Sequence, residues 1–103
     1  MPYDIELERD VDRGLDRYRI TVADGFDASD ADALGDWLTA AAQNPTAAFT
    51  IDATGMRKGR RAPLEVLFAR IARLRERVEI VRRGVSVRAP FAVGAAESLL
   101  ALG

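Results

Sequence analysis

Two stretches near the start of the chain alternate between apolar and polar residues, one over 3–8 and one over 17–23. A period of two puts the apolar side chains on one side of an extended chain, which is typical of a half-exposed strand. The apolar positions are Tyr3, Ile5, Leu7, Tyr18, Ile20 and Val22. Segment 10–16 between them is polar and contains Gly14, which favours a turn, so the pattern predicts an antiparallel hairpin.

Further along, apolar residues recur at intervals of three and four, the spacing of one face of a helix. The first such segment spans about 30–43, where Ser29 is placed to cap the helix and Asp32 to complete a capping box. The second spans about 63–76 and has a proline in its first turn, a position that suits proline. A third helix is predicted to begin at Pro90. Its inner side carries Phe91, Ala95, Leu99 and Leu102.

The short and mostly apolar segment 47–53 predicts a central strand buried on both faces. Segment 78–81 predicts another strand. Val85 and Val87 either extend the sheet or lie in the connection to the last helix. The predicted order is β-β-α-β-α-β-α, and because strands alternate with helices after the hairpin, the later strands are expected to run parallel. We therefore predict one α/β domain over 1–103, a mixed sheet of about four strands with helices packed against it.

The residue types that are missing narrow the possible chemistry. The 103 residues include neither cysteine nor histidine. A Ser-His-Asp triad, a Cys-His pair, a zinc–thiolate site and a histidine metal site are therefore excluded. No apolar run reaches the ~18 residues that cross a bilayer, and the first residues lack the pattern of a signal peptide. We expect a cytoplasmic, non-enzymatic protein without membrane insertion, metal or cofactor.

Charge is divided unevenly between the two halves of the chain. Residues 1–56 carry a balance of −8 and residues 57–103 a balance of +7, within a net charge of −1. Such a division indicates either an interaction surface or one globule on which both signs intermingle. The pI of about 5.4 and the scarcity of aromatic residues beside the basic ones argue against nucleic-acid binding.

The basic segment 57–61 is the strongest candidate site. It carries Arg57, Lys58, Arg60 and Arg61 between the central strand and the second predicted helix. Helix N-termini and the carboxyl ends of strands in α/β sheets both favour anionic ligands. An acidic partner surface, a small anion or a nucleotide would suit this segment. Alternatively, its side chains extend into solvent, as most runs of charge do.

Three stretches of the chain carry a family resemblance. Gly25-Phe26-Asp27 leads into an Ala/Leu-rich helix, the central strand ends Ile51-Asp52-Ala53-Thr54-Gly55-Met56, and the last residues are Ala95-Ala96-Glu97-Ser98-Leu99-Leu100-Ala101-Leu102-Gly103. With the order of elements, these resemble the STAS family, the sulfate transporter and anti-sigma factor antagonist domains. The resemblance implies a STAS-like fold and a bacterial signalling regulator. Its partner would be an anti-sigma factor, a kinase or a related regulator.

The phosphorylation motif of that family is missing. Where antagonists of the STAS family carry Asp-Ser-Ser-Gly, this chain has Arg60-Arg61-Ala62-Pro63, and the nearest hydroxyl belongs to Thr54. The resemblance therefore implies an interaction module without the usual phosphoserine switch, either constitutive or phosphorylated at Thr54. The alternatives are a small-anion or nucleotide-binding domain that uses segment 57–61, and a structural subunit of a homo-oligomer.

Other residues leave two interpretations open. Asp52 is either a lone phosphoacceptor or an acceptor of backbone hydrogen bonds at the strand end. Trp37 belongs either to the core or to an interface. Arg82, Arg83 and Arg88 surround a predicted turn, and they would join the basic segment in one patch if they emerge at the same edge of the sheet.

Overall fold

The computed structural model describes residues 3–56, 61–89 and 94–101. The strands are β1 (Tyr3–Asp10), β2 (Leu15–Val22), β3 (Ala47–Asp52), β4 (Val78–Arg82) and β5 (Val85–Arg88). The helices are α1 (Ala28–Ala41), α2 (Arg61–Ile71) and α3 (Ala95–Leu100), and a 3-10 segment, Ala72–Arg77, follows α2. The described elements therefore have the order β-β-α-β-α-β-β-α, which is an α/β fold.

The five strands form one mixed sheet in the order β1-β2-β3-β4-β5. β1 and β2 pair antiparallel along their whole length, with Tyr3 opposite Val22 and Asp10 opposite Leu15. β2, β3 and β4 run parallel, and β5 returns antiparallel to β4. The predicted hairpin, the mixed sheet and the parallel central strands are confirmed.

The prediction of about four strands is wrong, because β5 adds a fifth. Arg83 and Gly84 have φ angles of 50° and 84°. Two residues with positive φ between paired strands form a tight turn whose twist matches that of the strands. The turn sends Val85 and Val87 back along β4, where Val87 lies opposite Ile80. The two valines therefore extend the sheet.

All three helices pack against one face of the sheet, here called the covered face, and one apolar cluster joins them to it. The buried strand residues on this face are Ile20, Val22, Phe49, Ile51, Val78 and Ile80. The helices contribute Leu34, Leu38, Leu64, Leu67, Ile71 and Leu99. Removing each of these large side chains from water contributes about 1.5–3 kcal/mol, so this layer is the main source of stability.

The first helix begins earlier than the sequence predicts. Asp27, not Ser29, is its N-cap: the Asp27 carboxylate accepts from the Asp30 N–H at 2.9 Å, and the Asp30 carboxylate accepts from the Asp27 N–H at 3.1 Å. This reciprocal pair has the three-residue spacing that we expected of Ser29 and Asp32. A carboxylate suits this position, because it forms charge-assisted hydrogen bonds at the positive end of the helix dipole.

The α-helical part of α2 ends at Ile71, and the 3-10 segment replaces the last turns of the predicted helix. The end of that segment is fixed by Arg77. Its guanidinium donates to the carbonyl oxygens of Ala42, Asn44 and Ala47 at 3.0, 2.5 and 3.0 Å. The tighter 3-10 geometry is common where a helix ends. Arg77 thus ties the start of β4 to the connection between α1 and β3.

The third helix is shorter in the described residues than the sequence predicts. Ala95 and Leu99 face the core as expected, whereas Pro90, Phe91 and Leu102 lie outside the described residues. α3 packs against α2. None of the described helices is long and apolar enough to cross a membrane.

α1 and α2 approach each other at a glycine. An added Cβ at Gly35 would lie 2.7 Å from the Cβ of Arg70, closer than real side chains come. The Arg70 guanidinium then reaches across to the carboxylates of Asp32, at 2.8 Å, and Asp36. Arg70 belongs to the basic half of the sequence, and Asp32 and Asp36 belong to the acidic half. Positive and negative charges of the two halves therefore intermingle where α1 meets α2.

Trp37 packs within the molecule, at the margin of the covered face. Its ring meets Tyr18 and Phe49 edge to face, with centroids 5.3 and 6.2 Å apart. Such contacts stabilise by about 0.5–1.5 kcal/mol beyond the burial of area. The half-buried indole therefore belongs to the rim of the core.

The opposite face of the sheet is polar, and none of the helices in the described ranges packs on it. We call this the uncovered face. Its side chains come from the alternate strand positions, which include Glu6, Glu8, Arg17, Arg19, Ala48, Thr50, Asp52, Glu79, Ser86 and Arg88. Its apolar members include Leu15, Ala48 and Val81, which stand outside the core cluster.

Candidate interaction site

The parallel strands β2, β3 and β4 end together at one edge of the sheet, which we call the carboxyl edge. Thr21, Asp52 and Val81 lie side by side there. The turn after β3 begins with the Ala53 N–H, which donates to the Val81 carbonyl at 2.7 Å. Gly55 follows, and an added Cβ would lie 3.1 Å from the Val22 carbonyl. A side chain at this position would therefore be tight against the end of β2.

Asp52 is held as a carboxylate. Arg19 donates to it at 2.9 Å, and the Thr54 N–H donates to its other oxygen at 2.9 Å. Partial burial raises the pKa of Asp52, but hydrogen bonds from Thr54 and the positive charge of Arg19 outweigh it, so the pKa lies below its usual value. A carboxylate with a lowered pKa is a weak proton acceptor at neutral pH. The geometry therefore matches a structural acceptor at the strand end.

Thr54 occupies the centre of the carboxyl edge. Its hydroxyl accepts the Arg83 N–H at 3.2 Å, and its backbone N–H donates to Asp52 at 2.9 Å. The residue is nevertheless exposed. Thr54 thus connects the ends of β3 and β4 while it remains accessible to solvent.

Arg82, one residue before that contact, points into the protein. It is 1% exposed and lies on the covered face. Its two terminal nitrogens donate to the carbonyls of Met56, at 2.8 Å, and Leu99, at 3.2 Å. Its Nε has no partner among the described residues. The side chain ties the turn after β3 to α3.

Arg61 is the one member of the predicted basic site that lies within the described residues. Its guanidinium contacts the carboxylates of Glu65 and Glu97, each at 2.6 Å. The hydrogen bond and charge of Glu65, followed by the charge of Glu97, raise the pKa of Arg61. Two carboxylates of the same chain thus surround this cation. Arg57, Lys58 and Arg60 lie outside the described residues.

The three arginines around the turn from β4 to β5 do not form one patch. Arg82 is buried, whereas Arg83 is exposed at the carboxyl edge beside Thr54. Arg88 lies on the uncovered face, where its guanidinium is 3.5 Å from Glu79. Strict alternation along β4 could have predicted the inward direction of Arg82, because it follows Val78 and Ile80 at intervals of two.

Sequence reasoning missed a second group of basic residues, on the uncovered face. Arg13, Arg17, Arg77 and Arg88 surround a shallow cleft near the starts of β3 and β4. Arg17 alternates with Tyr18 along β2, which predicts its face but not its neighbours. No three acidic side chains among the described residues come together to hold a metal ion.

Comparison with family models, curated proteins and solved structures found no match to this chain.

Proposed function

We propose that this chain is a non-enzymatic protein-interaction module of a regulatory system, similar to a STAS antagonist, that docks an acidic partner surface at its carboxyl edge. One observation carries the proposal. Arg83 is exposed beside the accessible Thr54, and Met56 and Arg61, which flank the cations of segment 57–60, lie at the same edge. Cations at such an edge would speed the encounter with an acidic surface and set its orientation.

Arg61 is engaged by Glu65 and Glu97. We assign the docking role to Arg83 and, from the sequence, to Arg57, Lys58 and Arg60. The Arg83 side chain makes no ion pair within the described residues. The state of Asp52 supports a binding role over catalysis, because its charge is already matched by Arg19.

Thr54 is the proposed switch of this edge. A phosphate adds a charge of about −1.5 to −2. On Thr54 it would replace the hydroxyl that accepts the Arg83 N–H and place negative charge beside Arg83. An acidic partner would then be repelled. The module would dock when unmodified and release when phosphorylated.

The test compares charge reversals that are matched in number. The double variant Lys58→Glu/Arg60→Glu removes cations of the proposed set, and Arg9→Glu/Arg73→Glu changes the net charge equally at exposed sites elsewhere. Each protein is used as bait in lysate of the source cells, and the retained partner is purified. The Kd of the partner for the parent chain and for each variant is then measured by calorimetry. We expect the first variant to bind roughly tenfold or more weakly, and the second to bind like the parent chain.

Two further arms make the result decisive. Thr54→Glu should weaken binding in the same way, whereas Thr54→Ser, which keeps the hydroxyl, should not. Binding of the parent chain should also weaken as salt is raised, because docking is electrostatic. Equal binding by both charge variants, or the absence of any discrete retained protein, would overturn the proposal.

A further inference from the structure

The cleft on the uncovered face is formed by one row of residues across three strands. Arg17 lies opposite Ala48, and because Phe49 lies opposite Val78, Ala48 is level with Arg77. Neighbouring strands are separated by about 4.8 Å, so the two arginine backbones lie about 10 Å apart on either side of a single methyl group. The small side chain leaves a depression between two long ones.

The depression has a volume of about 220 Å³ and a strongly cationic lining. Arg13 and Arg88 close its sides, Leu15 and Ala48 supply apolar surface, and Glu79 is the only acidic residue that lines it within the described part of the chain. Four guanidinium groups against one carboxylate leave an excess of positive charge. This excess lies on the polar face of the sheet, toward the opposite end of the strands from Thr54 and Arg83.

The local partners show which of these charges is already matched. Glu79 accepts from Ser86 at 2.9 Å and from Thr50 at 3.3 Å, and it lies 3.5 Å from Arg88. Arg13 pairs with Asp10 at 3.8 Å. Glu79 thus already has three partners, and Arg88 is the one cation among them.

Arg17 is the exception. Its side chain is half-buried, and within the described residues it makes no ion pair or side-chain hydrogen bond. Glu8 is its neighbour on β1, but no carboxylate of the described ranges lies within ion-pair distance. Partial removal of a cation from water is unfavourable unless an anion takes the place of the solvent. Arg77 donates three of its five N–H groups to backbone carbonyls, so two N–H groups are not used in these bonds.

We propose that this cleft binds the phosphate group of a small phosphomonoester. Guanidinium groups bind phosphate oxygens through paired hydrogen bonds, and a dianion matches several converging cations better than a monocarboxylate does. The phosphate would lie over Ala48 between Arg17 and Arg77, with Arg13 and Arg88 at its sides. The organic part would lie against Leu15. The site is independent of the docking proposal, because it uses other residues at the amino end of the strands.

The experiment is a titration followed by backbone amide NMR shifts, with inorganic phosphate and phenyl phosphate as probes at constant ionic strength. We expect saturable shifts confined to the amides around residues 13–17, 48–50, 77–79 and 88, and tighter binding of phenyl phosphate. Acetate at the same concentration should not saturate the site. A carboxylate that binds as tightly as phosphate would overturn the assigned ligand class.

Three variants separate a built site from general attraction of anions. Arg17→Gln should weaken binding roughly tenfold, because a charged hydrogen-bonding partner is lost. Ala48→Ile keeps every charge but fills the floor of the cleft, and a β-branched residue suits a strand, so the fold is kept while binding is lost. Arg9→Gln removes an exposed cation of the same hairpin outside the cleft and should bind like the parent chain.

Several outcomes would overturn the proposal. Binding that survives both Arg17→Gln and Ala48→Ile would show that the cleft is not the site. Shifts that grow linearly and spread over all basic regions would show adventitious attraction of anions. Shifts confined to the carboxyl edge around Thr54 and Arg83 would assign anion binding to that edge instead. Because Ala48→Ile is expected to fold, instability of Arg17→Gln would not block the test.

Discussion

The two faces of the sheet differ in how they accommodate arginine. On the covered face, Arg82 is fully buried and its guanidinium is met by backbone carbonyls. On the uncovered face, Arg19 and Arg88 are half or more exposed and are met by the carboxylates of Asp52 and Glu79. The same side chain is thus a link between loops on one face and a member of ion pairs on the other.

The difference follows from access to water. A buried donor that loses its partner cannot hydrogen-bond to water instead. The loss of a hydrogen bond within the covered face is therefore expected to lower the stability substantially. Exposed ion pairs contribute only about 0–1 kcal/mol, because water and salt screen them. Charge on the covered face is therefore expected to govern stability, whereas charge on the uncovered face remains available for binding.

The largest expected effect comes from breaking the buried link. Arg82→Ala should lower the free energy of unfolding by about 3 kcal/mol, because it leaves a cavity and two carbonyls without donors. Urea unfolding measures the loss. Arg88→Ala on the uncovered face is the matched control and should change stability by less than about 0.5 kcal/mol.

A second substitution separates volume from hydrogen bonding at the same position. Arg82→Met fills most of the space with a flexible apolar side chain and removes a buried cation that has no carboxylate partner in the described ranges. It should recover part of the loss seen with Arg82→Ala. If Arg82→Ala and Arg88→Ala unfold alike, the contrast between the two faces does not hold.

An intermediate effect is expected where α1 meets α2 above the covered face. Gly35→Ala should destabilise by about 1–2 kcal/mol, although alanine favours helix, because its Cβ overlaps the Cβ of Arg70. Thermal unfolding measures the change. Arg70→Ala keeps the Cβ and so should not relieve the loss in the double variant. A Gly35→Ala protein that is more stable than the parent would show that the helices separate without cost.

The smallest effect concerns the uncovered face and depends on pH. The pKa of Asp52 is lowered in the folded chain, so the unfolded chain binds more protons near pH 4, where unperturbed carboxyls titrate. The stability that Asp52 contributes is therefore present above about pH 4 and is lost as the pH falls through the folded pKa. Asp52→Asn should cost about 1 kcal/mol near neutral pH and flatten this acid dependence.

Urea midpoints measured from neutral pH down into the acid range test this prediction. Asp12→Asn is the control, because Asp12 is exposed, and it should follow the pH profile of the parent chain. An unchanged acid dependence in Asp52→Asn would mean that Arg19 and Thr54 do not stabilise the carboxylate.

Much of the fold follows from local patterns in the sequence. Alternation predicted the hairpin, helical spacing predicted α1 and α2, and Pro63 lies in the first turn of α2 as expected. The limits of these elements were less well predicted. Asp27 and Ser29 are each followed by an aspartate three residues later, so the pattern does not show which of them caps α1. The strand β5 depends on a turn in which Arg83 adopts positive φ. An arginine there gives little local signal.

The candidate sites depended more on contacts between distant residues. The sequence grouped Arg61 with its neighbours, but Glu97 reaches it from another helix. It likewise grouped Arg82, Arg83 and Arg88, which the fold sends in three directions. The cleft around Ala48 was not predicted, because its lining comes from four separate parts of the chain.

The sequence by itself determined the period of each main element, the excess of acid in one half and of base in the other, and the absence of cysteine and histidine chemistry. These properties depend on a residue and its near neighbours. Only the tertiary structure decided which cations are matched, which lie buried and which remain open. A charge is matched by groups that are close in space, and strand pairing brings together residues that are far apart in the chain.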